Sequence, residues 1–250
     1  MNKECANNEK IEKIFDDFIE NKLIDLIPEL KDMHIPQNNP YHIYDVYNHT
    51  RKALLTAKRC DLITRLAVLF HDIGKPYSYQ DDEDGIRHFR GHGKVSAEMT
   101  DNIMRRLRFD NETREKVVEL VLHHDFEIPI NKKQIKRWLN KLGYEQFIRL
   151  LKVKEADIKA QNPKFLDRLD DMYGVYIDLY EIEEDEKCFS LKDLAVNGND
   201  VKKYIYVKEG KDVGYWLNKI LQLVIDGDLR NDKDELIHYM IGVADGWIKE

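Results

Sequence analysis

The chain has 250 residues, a formal net charge of −7, and 42% hydrophobic and 35% charged residues. That length can bury a full core, as one large domain or one domain with a small appendage, and the acidic balance argues against broad, non-specific nucleic-acid binding while leaving room for a local basic patch. The three scattered cysteines (Cys5, Cys60, Cys188) show neither a disulfide framework nor zinc spacing. There is no apolar signal core and no run long enough to span a membrane, so a reducing cytoplasmic location is expected.

Residues 1–8 are polar. Ile11, Ile14, Phe15, Phe18 and Ile19 then recur at helical spacing, and Leu23, Leu26, Ile27 and Leu30 extend the pattern past a break. Pro28 and Pro36 punctuate it. Gln37–Pro40 reads as a loop leading into a helix near Tyr41. That helix carries His42, Asp45, Val46 and His49 on one face, and Leu54 and Leu55 continue it to about Ala57. A lone histidine on such a face is usually a core residue; two with an aspartate favour a site.

The apolar run Leu66–Phe70 ends in His71-Asp72, and Gly74 and Pro76 then turn the chain, the glycine by supplying unusual backbone angles. An imidazole beside a carboxylate suits a divalent metal of borderline hardness. Alone, the pair reads better as an ordinary helix C-terminus, and it is the matching ligand-type residues elsewhere in the chain that favour a site. Residues 77–88 read as an irregular loop whose acidic run, Asp81-Asp82-Glu83-Asp84, is a solvated turn. His92 lies between Gly91 and Gly93, which suits a ligand on a backbone that must approach closely, and it introduces a helix over 96–107.

A helix from about Thr113 ends in His123-His124-Asp125. Neighbouring helical residues point about 100° apart, so only one histidine faces inward. His124 continues the face of Val117, Leu120 and Val121 and is chosen, with His123 as its competitor. Lys132, Lys133, Lys136 and Arg137 read as a solvated face. On the helix from about Tyr144 to Gln161, Asp157 lies on the apolar face of Leu150 and Val153, and a buried aspartate is rare unless paired or metal-bound. Further helix follows over 165–184, with Tyr173, Tyr176 and Tyr180 read as core. Ser190–Asp193 resembles a capping box and Asn197–Asp200 a turn. A helix from Lys211 to Asp226 is stopped by Gly227, and Asn231 caps a last helix. With no sustained period-two pattern, the fold class is all-α.

These residues, Asn48-His49-Thr50, His71-Asp72-Ile73-Gly74-Lys75, Gly91-His92, His124-Asp125 and Ala156-Asp157, resemble the HD-domain metal-dependent phosphohydrolases in the order H…HD…H…H…D. The resemblance implies an HD helical bundle over 25–162, an N-terminal helical segment over 1–24 and a helical C-terminal extension over 163–250. It also implies one or two divalent ions (manganese, iron, cobalt, nickel or magnesium). His49, His71, Asp72 and Asp157 would hold one ion, and His92 and His124 would complete a second with Asp72 bridging. A closer resemblance is to the C-terminal HD half of bacterial CCA-adding tRNA nucleotidyltransferases. It rests on Gln37–His42 with Asp45-Val46, on His88-Phe89, and on the tail segments Leu191–Asp200, Gly210–Gly214 and Gly227–Asn231. The nucleotidyltransferase head, with its Gly-Ser motif and paired aspartates, has no counterpart, so nucleotide addition by this chain alone is not expected.

The expected chemistry is attack of metal-activated hydroxide on a nucleotide or small phosphoester. Lys75 would neutralise charge on the phosphoryl oxygens, unless it is simply an exposed turn lysine. His42 would protonate the leaving oxygen, and Asp45 and Asp125 would fix imidazole tautomers. The competing function is a tRNA- or RNA-binding module with a vestigial or regulatory site. Residues 187–219 hold seven lysines against four acidic residues, with Tyr204, Tyr206, Tyr215 and Trp216 among them.

Overall fold

The computed structural model describes residues 22–129, 131–185, 190–208 and 210–248. The stripe from Ile11 to Ile19, Cys5, Cys188 and part of the lysine-rich stretch lie outside them. The described chain is helical apart from one short hairpin. It forms two compact units: one runs to Phe126 and resumes over Ile148–Leu169, and the other comprises Glu127–Phe147 and the chain from Asp170 onward. The segment Glu127–Phe147 thus leaves and rejoins a contiguous stretch that the sequence reads as one domain.

The first unit is built on α1 (Val46–Thr56), α2 (Leu62–Phe70), α3 (His92–Arg106), α4 (Asn111–His123) and the later turns of α6 (Tyr144–Ala160). Short polar side chains set the helix starts. Asp45 caps α1, Asp61 accepts from the Thr64 amide at 2.9 Å at the start of α2, and Asp110 accepts from the Thr113 amide at 2.9 Å at the start of α4. Helix α3 packs along α4, α4 along α2, and α2 against α1. Between them Phe70, Ile73, Ile103, Met104, Val117, Leu120, Leu150 and Ile158 are fully buried. Each contributes roughly 1.5–3 kcal/mol by leaving water. Asp61 also pairs with Arg149 at 3.1 Å, fastening α6 to the start of α2.

In the second unit α5 (Lys132–Leu142) and α7 (Arg168–Asp185, from Asp170) join α8 (Gly198–Tyr204), α9 (Gly210–Asp226) and α10 (Lys233–Ala244). Val201, Trp216, Ile220, Leu221, Leu236 and Met240 form a core cluster there.

Several local expectations change. The first helix begins at Val46, not near Tyr41, because the Asp45 carboxylate accepts from the Asn48 amide at 2.6 Å and starts it there. His42 therefore precedes the helix that carries His49. The 77–88 loop contains a hairpin, β1 (Gln80–Asp81) with β2 (Arg87–His88), locked by Arg87–Asp81 and His88–Asp82 ion pairs. The supposed solvated face is paired: Lys132 meets Glu181 at 2.8 Å, Arg137 meets Asp226 at 2.9 Å, and Lys136 is buried. Tyr173 and Tyr180 are exposed, since Met172, Val175, Leu179 and Ile182 form the inner stripe of α7. The capping box sits at Asn197 and Asp200, while Ser190 and Asp193 close only a turn. Asp232 caps α10, and Asn231 instead joins the Ala195 amide to the Asp193 carbonyl.

Candidate metal centre

His71 stands at the C-terminal end of α2 and Asp72 opens the turn behind it, so both are carried into the interior of the first unit. Gly74 does not supply an unusual angle: its φ is −85°. Its role is space. A Cβ there would lie 2.5 Å from the Ser96 amide nitrogen and 2.9 Å from the His92 carbonyl oxygen. The Gly74 N–H also donates to Ser96 Oγ at 2.9 Å. The turn after His71-Asp72 is thereby pressed against the first turns of α3, which delivers His92. Gly91, at φ +76°, makes the left-handed entry into that helix.

His49 (α1), His71, Asp72, His92 (α3), His124 (just past α4) and Asp157 (α6) converge, all buried. Their donor atoms fall into two groups joined by one carboxylate. On one side His49 Nε2 is 3.0 Å from Asp157 Oδ1 and 3.6 Å from Asp72 Oδ2, and His71 Nε2 is 3.1 Å from Asp72 Oδ2. On the other, His92 Nε2 and His124 Nε2 lie 3.3 and 3.6 Å from Asp72 Oδ1. Asp72 thus offers one oxygen to each group, and neither oxygen accepts a well-aligned hydrogen bond. His123 is half-exposed on the last turn of α4, and it is His124 that enters the cluster.

The tautomers follow from the backbone. Nδ1 of His71, His92 and His124 each faces the carbonyl three residues back (Val68, Phe89, Val121) at 2.7 Å, and Nδ1 of His49 faces the Ala160 carbonyl at 3.4 Å. A carbonyl only accepts, so Nδ1 carries a proton in either charge state of the ring, and in the neutral form each ring turns its Nε2 lone pair inward. The inward atoms meet each other: His92 Nε2 to His124 Nε2 is 2.9 Å, and His71 Nε2 to His49 Nε2 is 3.4 Å. Two lone pairs at such distances repel unless a proton or a metal cation lies between them. Donors about 2.0–2.2 Å from one ion stand roughly 2.9 Å apart at right angles and about 3.4 Å apart at the tetrahedral angle. The donor set therefore fits divalent metal ions, and two three-residue groups could each hold one: His49, His71 and Asp72, and Asp72, His92 and His124.

Charge follows the same division. Burial pushes the Asp72 and Asp157 carboxyls up, but neighbouring His71 and Lys75 for Asp72, and the hydrogen bond from His49 with His71 nearby for Asp157, hold both well below the usual carboxylate range. Burial likewise pulls His71 down, and the Asp72 charge overcomes it, leaving this ring above the usual histidine value. His124 is lowered by burial, with His92 and His71 adding to the effect.

Lys75 is not an exposed turn lysine. It is buried, with Nζ 2.8 Å from Asp72 Oδ2, donating to Gln37 Oε1 at 2.9 Å and lying 5.1 Å from the centre of the Phe89 ring. His42 packs edge-on against His49, ring centres 4.9 Å apart. Burial first, and then the charge of Lys75, push it down to about 3, so it is a neutral ring. Asp45 is spent on the cap of α1, and Asp125 is exposed, 3.7 Å from Lys154. Backbone carbonyls fix the imidazole tautomers, and neither aspartate is needed for it.

A cleft of about 690 Å³ opens over the cluster, lined by His42, His92 and Asp157 and by five cationic side chains, Lys75, Arg87, Arg90, Lys154 and Arg168. Arg87 is held by Asp81. Arg168 donates to Gln161 Oε1 at 3.0 Å, and neither it nor Arg90 has a carboxylate partner among the described residues. Sequence reading missed Arg90, Lys154, Arg168 and Gln37. Gln37 carried a signal only as part of the Gln37–His42 segment, and Lys154 as a residue three before Asp157 on the same helix. In the second unit, Trp216 is core and so not a stacking platform, whereas Tyr206 and Tyr215 are exposed and Lys219 lies over the Tyr215 and Trp216 rings.

An A-adding tRNA nucleotidyltransferase of Deinococcus radiodurans is 35% identical over 125 residues, which cover 48% of this chain and 29% of that protein. A CC-adding tRNA nucleotidyltransferase of Thermus thermophilus is 28% identical over 195 residues, covering 74% of this chain and 42% of that protein. The chain matches less than half the length of either relative. No helix among the described residues is long and apolar enough to cross a membrane. The family model of the HD domain matches residues 41–172, the stretch that carries all six converging residues, and the chain belongs to the HD-domain family.

Proposed function

We propose that the chain is a metal-dependent phosphohydrolase acting on nucleotides or related phosphoesters. The observation that carries this reading is the juxtaposition of a buried His/Asp cluster with a cleft lined by five cationic side chains. His49, His71, Asp72 and Asp157 would hold one divalent ion, and Asp72, His92 and His124 a second. When bound, such ions supply Lewis acidity and bring the pKa of water toward neutrality. The remaining work belongs to the chain. Asp72 keeps the two groups at a fixed spacing through its two oxygens. Lys75, held by Gln37 and Asp72, presents a preorganised positive charge to the phosphoryl oxygens in a site shielded from water, where such a charge acts most strongly. Arg90 and Arg168, without carboxylate partners among the described residues, supply planar donors for a phosphate.

The test is elemental analysis of protein purified without chelators, with hydrolysis of generic phosphomonoesters and phosphodiesters under added manganese or nickel. One or two ions per chain, and turnover that vanishes in Asp72→Ala while helicity is kept, are expected. The names of the two relatives favour a second reading, a tRNA-binding module. Salt-sensitive tRNA binding with no turnover after metal reconstitution would overturn the first in its favour.

A further inference from the structure

Both ends of the Asn39 amide are committed. Its Nδ2 donates to the Gln37 carbonyl at 3.1 Å, and its Oδ1 accepts from the Tyr41 amide at 3.2 Å. The same oxygen faces His42 Nδ1 at 2.8 Å. It can only accept, so the ring proton is on Nδ1 and Nε2 carries a lone pair. That Nε2 is buried and makes no hydrogen bond among the described residues. Yet donor atoms of His42, His49 and Asp157 all lie within 4.8 Å of one another, and His42 and Asp157 both line the cleft.

A His42 ring nitrogen and an Asp157 carboxylate oxygen thus lie within 4.8 Å with no direct bond between the two residues among those described, and two acceptors so placed are one water apart. Bonds of about 2.8 Å meeting near the tetrahedral angle span roughly 4.6 Å. The spacing is held by backbone. The Asn162 N–H donates to the Tyr41 carbonyl at 2.8 Å and Asn162 Nδ2 to the Pro40 carbonyl at 3.0 Å, so the loop carrying His42 is pinned just past the end of the helix carrying Asp157.

The geometry points to a water-holding pair in which His42 Nε2 and the Asp157 carboxylate accept the two O–H groups of one water molecule at the floor of the cleft. The oxygen lone pairs of that water are then turned away from both acceptors. On the phosphohydrolase reading, this is the attacking water, and His42 orients it. This is the reverse of donating a proton to the leaving oxygen, because its free nitrogen is an acceptor.

The experiment is a crystal structure of the manganese-loaded wild-type chain, paired with steady-state kinetics and metal content of His42→Ala and His42→Gln. A water within hydrogen-bond distance of both Nε2 and Asp157 is expected. So is a fall in kcat of about 10²-fold in His42→Ala with KM and metal content unchanged. Partial recovery is expected in His42→Gln, whose amide oxygen also accepts, and this variant keeps the test available if the alanine variant does not fold. Direct coordination of Nε2 to an ion, unchanged kcat, or metal lost in step with activity overturns the proposal. A wild-type chain that shows the water but hydrolyses no phosphoester strikes the phosphohydrolase reading and leaves the water site standing.

Discussion

Replacing Gly74 by alanine tests whether the cluster is assembled by contact between a turn and a helix. The backbone angles at Gly74 suit any residue, so the substitution carries no torsional penalty. The penalty is steric. The added methyl would sit 2.5 Å from the Ser96 nitrogen, 2.8 Å from Ser96 Oγ and 2.9 Å from the His92 oxygen. Two of those three are backbone atoms at the start of α3, which cannot swing aside as a long side chain could. Overpacking of this kind costs about 1–3 kcal/mol, and weakening the buried bond from the Gly74 amide to Ser96 Oγ adds about 1 kcal/mol. The sum, roughly 2–4 kcal/mol, corresponds to a fall in Tm of about 4–16 °C for a chain of this size. His92 moves with the backbone, so metal content is expected to fall first on the His92–His124 side, toward one ion per chain. Circular dichroism melting with elemental analysis reads both. Gly91→Ala is the comparison: its Cβ would meet nothing within 4 Å, and it suffers only the left-handed φ, about 1–2 kcal/mol. A Gly74→Ala protein with wild-type Tm and full metal content would refute the reasoning.

Lys75→Gln removes the cation against Asp72 and is expected to lower kcat about 10²–10³-fold with metal content retained, as read by kinetics beside elemental analysis. Metal removal by a chelator should lower Tm: ions at 100 times their Kd contribute about 2.7 kcal/mol to the folded state, so a melt unchanged by chelation followed by dialysis counts against a metal centre. Tyr77 donates a short hydrogen bond to Asp32, and that bond, with burial and the nearby negative charge, raises its phenol to about 12. The folded state favours the protonated phenol, so this contribution is present below the ordinary tyrosine range and is lost as pH rises toward 12. Ultraviolet difference titration of wild type against Tyr77→Phe should show it, and Asp32→Asn should bring the midpoint back toward about 10.

What was legible in the sequence was whatever depends on local period or local chemistry. His124 could be preferred over His123 because it continues the stripe of Val117, Leu120 and Val121, and the structure buries it there. Asp157 stood out because a carboxylate among Leu150 and Val153 on one helix face demands a partner. Three kinds of feature were illegible. Helix starts depend on which short polar side chain wins the cap: Asp45, not the loop before Tyr41, starts α1. The hairpin within 77–88 depends on cross-strand ion pairs too short to leave a period. Close approach leaves no local trace at all: Gly74 reads as a turn residue, and only the packed structure shows that it is needed for the space beside Ser96.

That last feature bears on how far a ligand motif alone can be trusted. The six converging residues come from several elements, but what suits them to hold a metal, rather than to be mere buried polar groups, lies outside the motif. Carbonyls of Val68, Phe89 and Val121 take the outward protons, so three imidazoles are aimed before any ion arrives. Each of these carbonyls lies three residues before its histidine, a local bond made by the backbone itself. The aim therefore survives side-chain substitution at Val68, Phe89 or Val121. It does not survive a change in the turn geometry behind His71, which Gly74 and Ser96 secure. On the proposed metal-centre reading, a chain could retain all six residues and lose the His92–His124 side of the centre through a single methyl group at position 74.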